Sequence, residues 1–131
     1  SLHDALPIFQ IEAEEPVNIW ADEFFTEQVV SNFISNAIHY ASGEKQIVVR
    51  CAPTEDGNIR FSVFNTGKAI PEEDLPHIWE KFYKGDKART REYGGRGIGI
   101  SVVKEFMESF KKHYGVKNYD NGVEFWCEFD H

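Results

Sequence analysis

Long apolar runs are missing from this 131-residue chain. No stretch nears the roughly 18 consecutive apolar residues that a membrane-spanning helix needs. The chain therefore reads as soluble and cytosolic, without direct membrane contact. Positive charge is also scarce: 14 Lys and Arg stand against 22 Asp and Glu, for a net charge of −8. That balance argues against nucleic acid or an anionic membrane as the main partner, and leaves room for a small anionic ligand held by a few local cations. Cysteine is nearly absent. Cys51 and Cys127 lie far apart, form no metal-ligand spacing and sit in alternating apolar runs, so they read as two reduced core thiols. Internal repeats, low-complexity tracts and linkers are lacking too. What is present is the length of one domain with 41% apolar residues, enough to bury roughly two-thirds of the surface its unfolded form exposes.

Residues 16–20, PVNIW, read as a short strand. Asp22 suits a helix N-cap, and 24–41 follow as a helix. Val30, Phe33, Ile34, Ala37, Ile38 and Ala41 recur on one face of it. Asn32, Asn36 and His39 fall on the opposite side, with Tyr40 near its edge. Residues 46–52 and 59–65 are strand-like and flank a hairpin turn at Asp56-Gly57-Asn58. Pro71 opens a short helix. Residues 84–96 are charged and aperiodic, the pattern of a mobile loop. Residues 97–112 form a second long helix with Val102, Val103, Phe106, Met107 and Phe110 inward. A last hairpin, 116–129, turns at Asp120-Asn121-Gly122. Strand pairs with helices between them give an α/β two-layer sandwich: a mixed, mostly antiparallel sheet with helices packed on one face.

Three stretches carry chemistry. Gly94-Gly95-Arg96-Gly97-Ile98-Gly99 leads straight into a helix, where glycine backbone and the helix dipole would hold a phosphate. The same string also serves as a flexible loop with a glycine cap. No strand precedes it and its spacing is GxGxG, so it is not a dinucleotide fingerprint; no Gly-Lys-Ser/Thr makes it a Walker loop. Asn32 and Asn36 are one turn apart on a helix. They are ordinary solvated residues or, through an amide oxygen, ligands for Mg²⁺, which takes oxygen donors beside phosphates. Asn36 sits close to the buried stripe, where an unpaired amide is costly. His39 and Tyr40 on the next turn could donate hydrogen bonds to those phosphates. Asn65-Thr66-Gly67-Lys68-Ala69-Ile70-Pro71 ends a strand, and alone is a plain strand-to-helix turn.

In combination the order is N-x-x-x-N-A on a helix, N-x-G-x-x-I-P after a strand, Ile78-Trp79-Glu80-Lys81-Phe82-Tyr83-Lys84, then G-x-G-x-G opening a helix. This resembles the catalytic ATP-binding domain of sensor histidine kinases, within the superfamily shared with gyrase-type ATPases, mismatch-repair ATPases and a heat-shock chaperone. The resemblance covers roughly residues 10 to 130, and its wording is closest to vancomycin-resistance-type sensor kinases. It implies a Bergerat-type ATP-binding fold and transfer of the γ-phosphoryl group of Mg·ATP to a histidine on another domain. It assigns Asn36 to the Mg²⁺ that bridges the phosphates, and Asn32 to placing phosphates or metal. ATP-hydrolysing members of the superfamily carry a glutamate at the Asn32 position. An amide there cannot take a proton from water, so the site should present ATP rather than hydrolyse it quickly. Asn65 stands where the family has an adenine-reading aspartate, and Ala69 where it has a second glycine. The resemblance further implies nucleotide contacts at His39, Tyr40, Gly67, Ile70, Lys84, Gly95, Gly97, Ile98 and Gly99, with Arg89, Arg91 and Arg96 able to add charge. Ile78, Trp79, Phe82 and Tyr83 would pack the lid onto the core.

The partners implied are the histidine-bearing dimerisation hairpin of the same kinase and a downstream response regulator. The chain would be the cytoplasmic domain of a membrane-anchored bacterial receptor. Two other readings share the nucleotide site: an anti-sigma-factor-type serine kinase and binding protein, and a nucleotide-binding pseudokinase, given Asn65 and Ala69. His3-Asp4-Ala5-Leu6-Pro7 is not the acceptor motif, because Pro7 comes four residues after His3 rather than five. His77, His113 and His131 read as surface residues. The first eight residues, SLHDALPI, match the translation of a common sequencing adapter, TCC CTA CAC GAC GCT CTT CCG ATC. Residues 1–8 are therefore expected to be an artefact fused to a catalytic domain spanning 9–131, with the acceptor histidine in upstream sequence.

Overall fold

A computed structural model of the chain describes residues 6–13, 17–80 and 99–131. Among these residues five strands form one sheet: β1 (Ile8–Glu12), β2 (Gln46–Pro53), β3 (Ile59–Thr66), β4 (Tyr114–Tyr119) and β5 (Gly122–Phe129), in the order β1-β2-β3-β5-β4. β1 runs parallel to β2 and every other pairing is antiparallel. Among the described residues two helices, α1 (Glu23–Tyr40) and α2 (Gly99–Ser109), form the second layer. Alternation along the strands sends Ile47, Phe61, Val63, Val123, Phe125 and Cys127 into one core with Phe25, Val29 and Phe33 of α1 and Val103 and Met107 of α2. The two-layer α/β sandwich expected from the sequence is the architecture found. On the opposite face the Arg60 guanidinium lies 3.9 Å over the Trp126 ring and pairs with Glu128 at 2.6 Å.

α1 starts as its sequence specifies: the Asp22 carboxylate accepts a hydrogen bond from Phe25 N at 2.9 Å. Its buried line differs from the expected one. Phe25, Val29, Phe33, Asn36 and Ala37 are buried, an i, i+4 row. Val30, Ile34 and Ala41 only shoulder the core, and Ile38 is 47% exposed. Each residue turns the helix about 100°, so side chains one position beyond the row fall beside the contact line. Val30, Ile34 and Ile38 instead line an open groove of about 700 Å³ with Ile19. The same rotation carries Asn36 from the expected polar side into the core side, at 1% exposure.

Further boundaries move. No strand forms over the described part of 16–20; Trp20 makes one isolated bridge, donating to Asp130 O at 2.9 Å. The strand lies earlier, and Ile8, the last residue of the adapter-like stretch, opens it by donating to Lys45 O at 2.8 Å. β1 is an edge strand whose Ile8, Phe9 and Ile11 are all exposed, so it has no buried face to announce itself. In place of a short helix after Pro71 there is one 3₁₀ turn, Leu75–His77. α2 buries Ile100, Ser101, Val103 and Met107, with Phe106 at the core's margin, Val102 half-buried and Phe110 exposed. It ends at Ser109 rather than 112 because Lys111 takes a left-handed φ of 58° and Lys112 N turns back to Met107 O. The expected loop over 84–96 and the helix start at 97 lie outside the described residues.

Cys51 and Cys127 flank Phe61 across the ladder, each on a different strand. Burial raises both thiols above the ordinary range, Cys127 far more than Cys51. Cys127 is 0% exposed. A thiol reagent at pH 8 should label Cys51 slowly in the native chain and Cys127 only with global unfolding. Mass spectrometry of the labelled peptides checks this, and native labelling of Cys127 ahead of Cys51 would contradict the packing.

Candidate functional site

The C-terminus of α1 meets the end of β3, and the middle of α1 meets the first described residue of α2. The junction begins at Thr66, which is 6% exposed. Its hydroxyl donates to Ser42 O at 2.9 Å and accepts from Gln46 N at 3.0 Å, while Ser42 N donates to Thr66 O at 2.9 Å. These three bonds fasten the exit of α1 and the entry of β2 to the last residue of β3. They satisfy backbone groups that the helix and strand ends would otherwise leave unpaired.

Gly67 follows with φ 149°, and a Cβ there would lie 2.8 Å from Tyr40 O and 3.1 Å from Ser42 Oγ. Only glycine lets the chain pass this close to the end of α1. Tyr40 and Gly67 are thereby brought together, and Asn65 Nδ2 would be 3.4 Å from the same Cβ. Asn65 is 3% exposed and its Nδ2 donates to Thr66 O at 3.1 Å. Gly67 N donates to Asn121 O at 3.0 Å. Ile70 is 2% exposed, and its backbone N–H and C=O are both taken by the side chain of Asn118, at 3.0 and 2.8 Å.

On α1, Asn32 and Asn36 are one turn apart. Asn36 is buried, and every buried side-chain polar atom among the described residues has a hydrogen-bond partner. Asn32 Nδ2 donates to Gln28 O at 2.7 Å. The Asn32 amide oxygen faces the start of α2: a Cβ on Gly99 would sit 3.4 Å from it. Asn32 and Gly99 are therefore neighbours, joining the helix that carries both asparagines to the first described turn of the next. His39 is exposed beside half-buried Tyr40, their ring centroids 6.4 Å apart. Ile78 and Trp79 pack against the core, with the Trp79 ring 5.5 Å from Phe125 and 4.8 Å from Tyr114. Lys84, Gly95, Gly97 and Ile98, with Phe82, Tyr83, Arg89, Arg91 and Arg96, lie outside the described residues.

Sequence reasoning gave no part in the site to Ser42, Thr66, Asn118 or Asn121, though Thr66 lies within a quoted motif and Asn121 within a quoted turn. Asn118 left a signal of its own. It shares a strand face with Tyr114 and Val116, both packed on the core, so an amide stands where the alternation calls for an apolar residue.

Among the described residues no helix is long and apolar enough to cross a membrane. A family model described as "Histidine kinase-, DNA gyrase B-, and HSP90-like ATPase" matches residues 21–131. The chain is 37% identical over 105 residues to the sensor histidine kinase YkoH of Bacillus subtilis, covering 80% of this chain and 22% of that protein. It is 32% identical over 146 residues to the sensor histidine kinase AruS of Pseudomonas aeruginosa, covering 98% of this chain and 15% of that protein. The chain thus spans about a fifth or less of these curated relatives' length. The solved catalytic domain of histidine kinase ThkA superposes with a TM-score of 0.73 at 29% identity, over 94% of this chain and 77% of that one. Full-length ShkA in complex with AMPPNP gives 0.75 at 25% identity, over 98% and 26%. With 111 consecutive residues matched by the family model and the fold shared with histidine kinase catalytic domains, the chain belongs to the histidine kinase-, DNA gyrase B- and HSP90-like ATPase family.

Proposed function

We propose that this domain binds ATP with Mg²⁺ and presents the γ-phosphoryl group to a histidine on a helical dimerisation hairpin of the same sensor kinase. A response regulator would take the group from there. The observation that carries the reading is the meeting of the Asn32 amide oxygen with Gly99, at the first described turn of α2, one helical turn from buried Asn36. Amide oxygens suit a hard, oxygen-seeking cation, and helix N-termini suit phosphate. Mg²⁺, when bound, supplies charge neutralisation across the phosphate oxygens. Asn36 would hold it, Asn32 would help place the phosphates, and His39 and Tyr40 would donate hydrogen bonds. Lys84, Gly95, Gly97, Ile98 and Gly99 complete the proposed contacts. With no carboxylate at position 32 to activate water, the bound ATP waits for an imidazole acceptor.

Asn65 is assigned to adenine. Its Nδ2 is turned to Thr66 O, which leaves the amide oxygen for the acceptor role of the family's aspartate. Ala69 is exposed, so its methyl group need not displace the base. Both points favour a working nucleotide site, and transfer to the hairpin separates a kinase from a pseudokinase. The relatives named above are sensor histidine kinases, not anti-sigma kinases, and ThkA has been seen in complex with the response regulator protein TrrA. We further propose that the domain sits on the cytoplasmic side of a membrane-anchored kinase.

The test is a titration of the chain with ATP, with and without Mg²⁺, followed by addition of the separately produced acceptor hairpin of the native kinase. Saturable Mg²⁺-dependent binding and acid-labile phosphohistidine on the hairpin are the expected results. Binding without transfer would make the chain a pseudokinase, and no binding would overturn the assignment.

A further inference from the structure

The proposed base-binding loop, residues 67–71, belongs to no strand, yet Ile70 within it is 2% exposed. A buried peptide group outside secondary structure needs partners for both its N–H and its C=O. Asn118 supplies both, accepting from Ile70 N through Oδ1 at 3.0 Å and donating from Nδ2 to Ile70 O at 2.8 Å. Of the side chains, only a primary amide carries a donor and an acceptor in this fixed planar relation. Asn118 therefore acts as an extra peptide unit, pairing with Ile70 as one strand residue pairs with another.

Register fixes where this happens. Val123 pairs with Asn65 on one side and Asn118 on the other, so Asn65, Val123 and Asn118 form one row across three strands. Strand spacing puts the two asparagines about 10 Å apart on the helix-facing side. Asn65 heads the loop, and Asn118 grips it five residues later. The Gly67 N bond to Asn121 O adds a second tie from the same hairpin.

We propose that Asn118 is a positioning residue that sets the height of the 67–71 loop beneath the adenine. This inference rests on the nucleotide reading above. Asn118 touches the loop, not the nucleotide, and its effect is confined to the base end of the site. The β4–β5 hairpin is then part of the nucleotide machinery, although it carries none of the residues that the family resemblance assigns.

The experiment measures affinity of the full 131-residue chain for Mg·ATP and for Mg·tripolyphosphate, which has the phosphates without the base. Asn118→Ala should weaken ATP about tenfold, the loss expected for removing a hydrogen-bonded clamp. Tripolyphosphate affinity should stay within about twofold, because the phosphate end keeps every contact. In parallel, hydrogen exchange at Ile70 N–H should accelerate in Asn118→Ala. Asn118→Asp keeps the acceptor for that N–H but sets an oxygen against Ile70 O, so it should retain the protection and still lose ATP affinity. If the alanine variant does not fold, the aspartate variant carries the test. Unchanged ATP affinity, or equal losses for ATP and tripolyphosphate, overturns the proposal. A wild-type chain that binds neither ligand overturns the nucleotide reading itself, and the clamp with it.

Discussion

Asn36→Ala and Asn36→Asp will each lower Mg²⁺-dependent phosphotransfer at least about a hundredfold, the scale on which a single positioned charge-stabilising group acts in a dry site. The asparagine sits on the core side of α1, beside Phe33 and Ala37, and is 1% exposed. Alanine removes the amide oxygen and leaves the volume empty. Aspartate keeps the shape but adds a full negative charge at a nearly buried position, which favours the cation yet opposes the phosphates beside it and disfavours the metal-free fold. It also gives up the NH₂ group, and with it two donors. The measurement is the initial rate of phosphohistidine formation on the acceptor hairpin at saturating Mg²⁺, with the Mg²⁺ dependence of ATP affinity alongside. Circular dichroism confirms that each variant is folded. Full activity in either one removes Asn36 from the mechanism.

Gly122→Ala is the variant expected to harm the fold most. Gly122 pairs with Thr66 in the β3–β5 ladder and is buried. A methyl group there would overlap the Asn65 carbonyl oxygen and lie 2.7 Å from two carbons of the Phe64 ring. The ring can turn aside, but the carbonyl is backbone inside the sheet, so the strands must part. Overpacking of a tight core costs up to about 3 kcal/mol when the neighbours yield, and here the nearest neighbour does not. We expect a fall in stability of about 3 kcal/mol or more, read from the shift in the urea midpoint. Loss of nucleotide binding should accompany it even in the folded fraction, because the displaced residues are Asn65 and Thr66. A midpoint within about 0.5 kcal/mol of wild type, the range of an ordinary surface change, would show that the ladder can open there without cost.

The elements that were legible in the sequence announced themselves locally. Asp22 marked the start of α1 because a cap is made three residues away, and the two hairpins followed from apolar alternation broken by Asp, Asn and Gly. β1 was hidden because an edge strand with Ile8, Phe9 and Ile11 exposed has no buried period to read. The inward faces of both helices hold at Phe33, Ala37, Val103 and Met107 and depart from expectation at their flanks, for a common reason. Counting apolar side chains favours Val30, Ile34 and Phe110, whereas packing favours whichever row meets the sheet, even when that row includes Asn36 and Ser101. A buried asparagine is invisible to a hydrophobic count. At the site, the family motifs named Asn32, Tyr40, Asn65, Gly67, Ile70 and Gly99, and the fold sets Asn32 beside Gly99 and both Tyr40 and Asn65 beside Gly67. The clamp from Asn118 to Ile70 spans 48 residues, and nothing in either local stretch encodes the other.

The sheet's two hairpin turns are unequal as places to lengthen the chain. The loop between Pro53 and Ile59 lies at the far end of β3 from Thr66, and an added residue there would only enlarge a surface bend. The turn between Tyr119 and Gly122 has two residues. One more, taken up by a slip of β4 against β5, would turn Asn118 to the other side of the sheet and carry Asn121 O away from Gly67. Insertions, tags and grafted peptides therefore belong at residues 54–58. A hairpin remote from the proposed phosphate contacts is in this respect as intolerant of altered length as a catalytic loop.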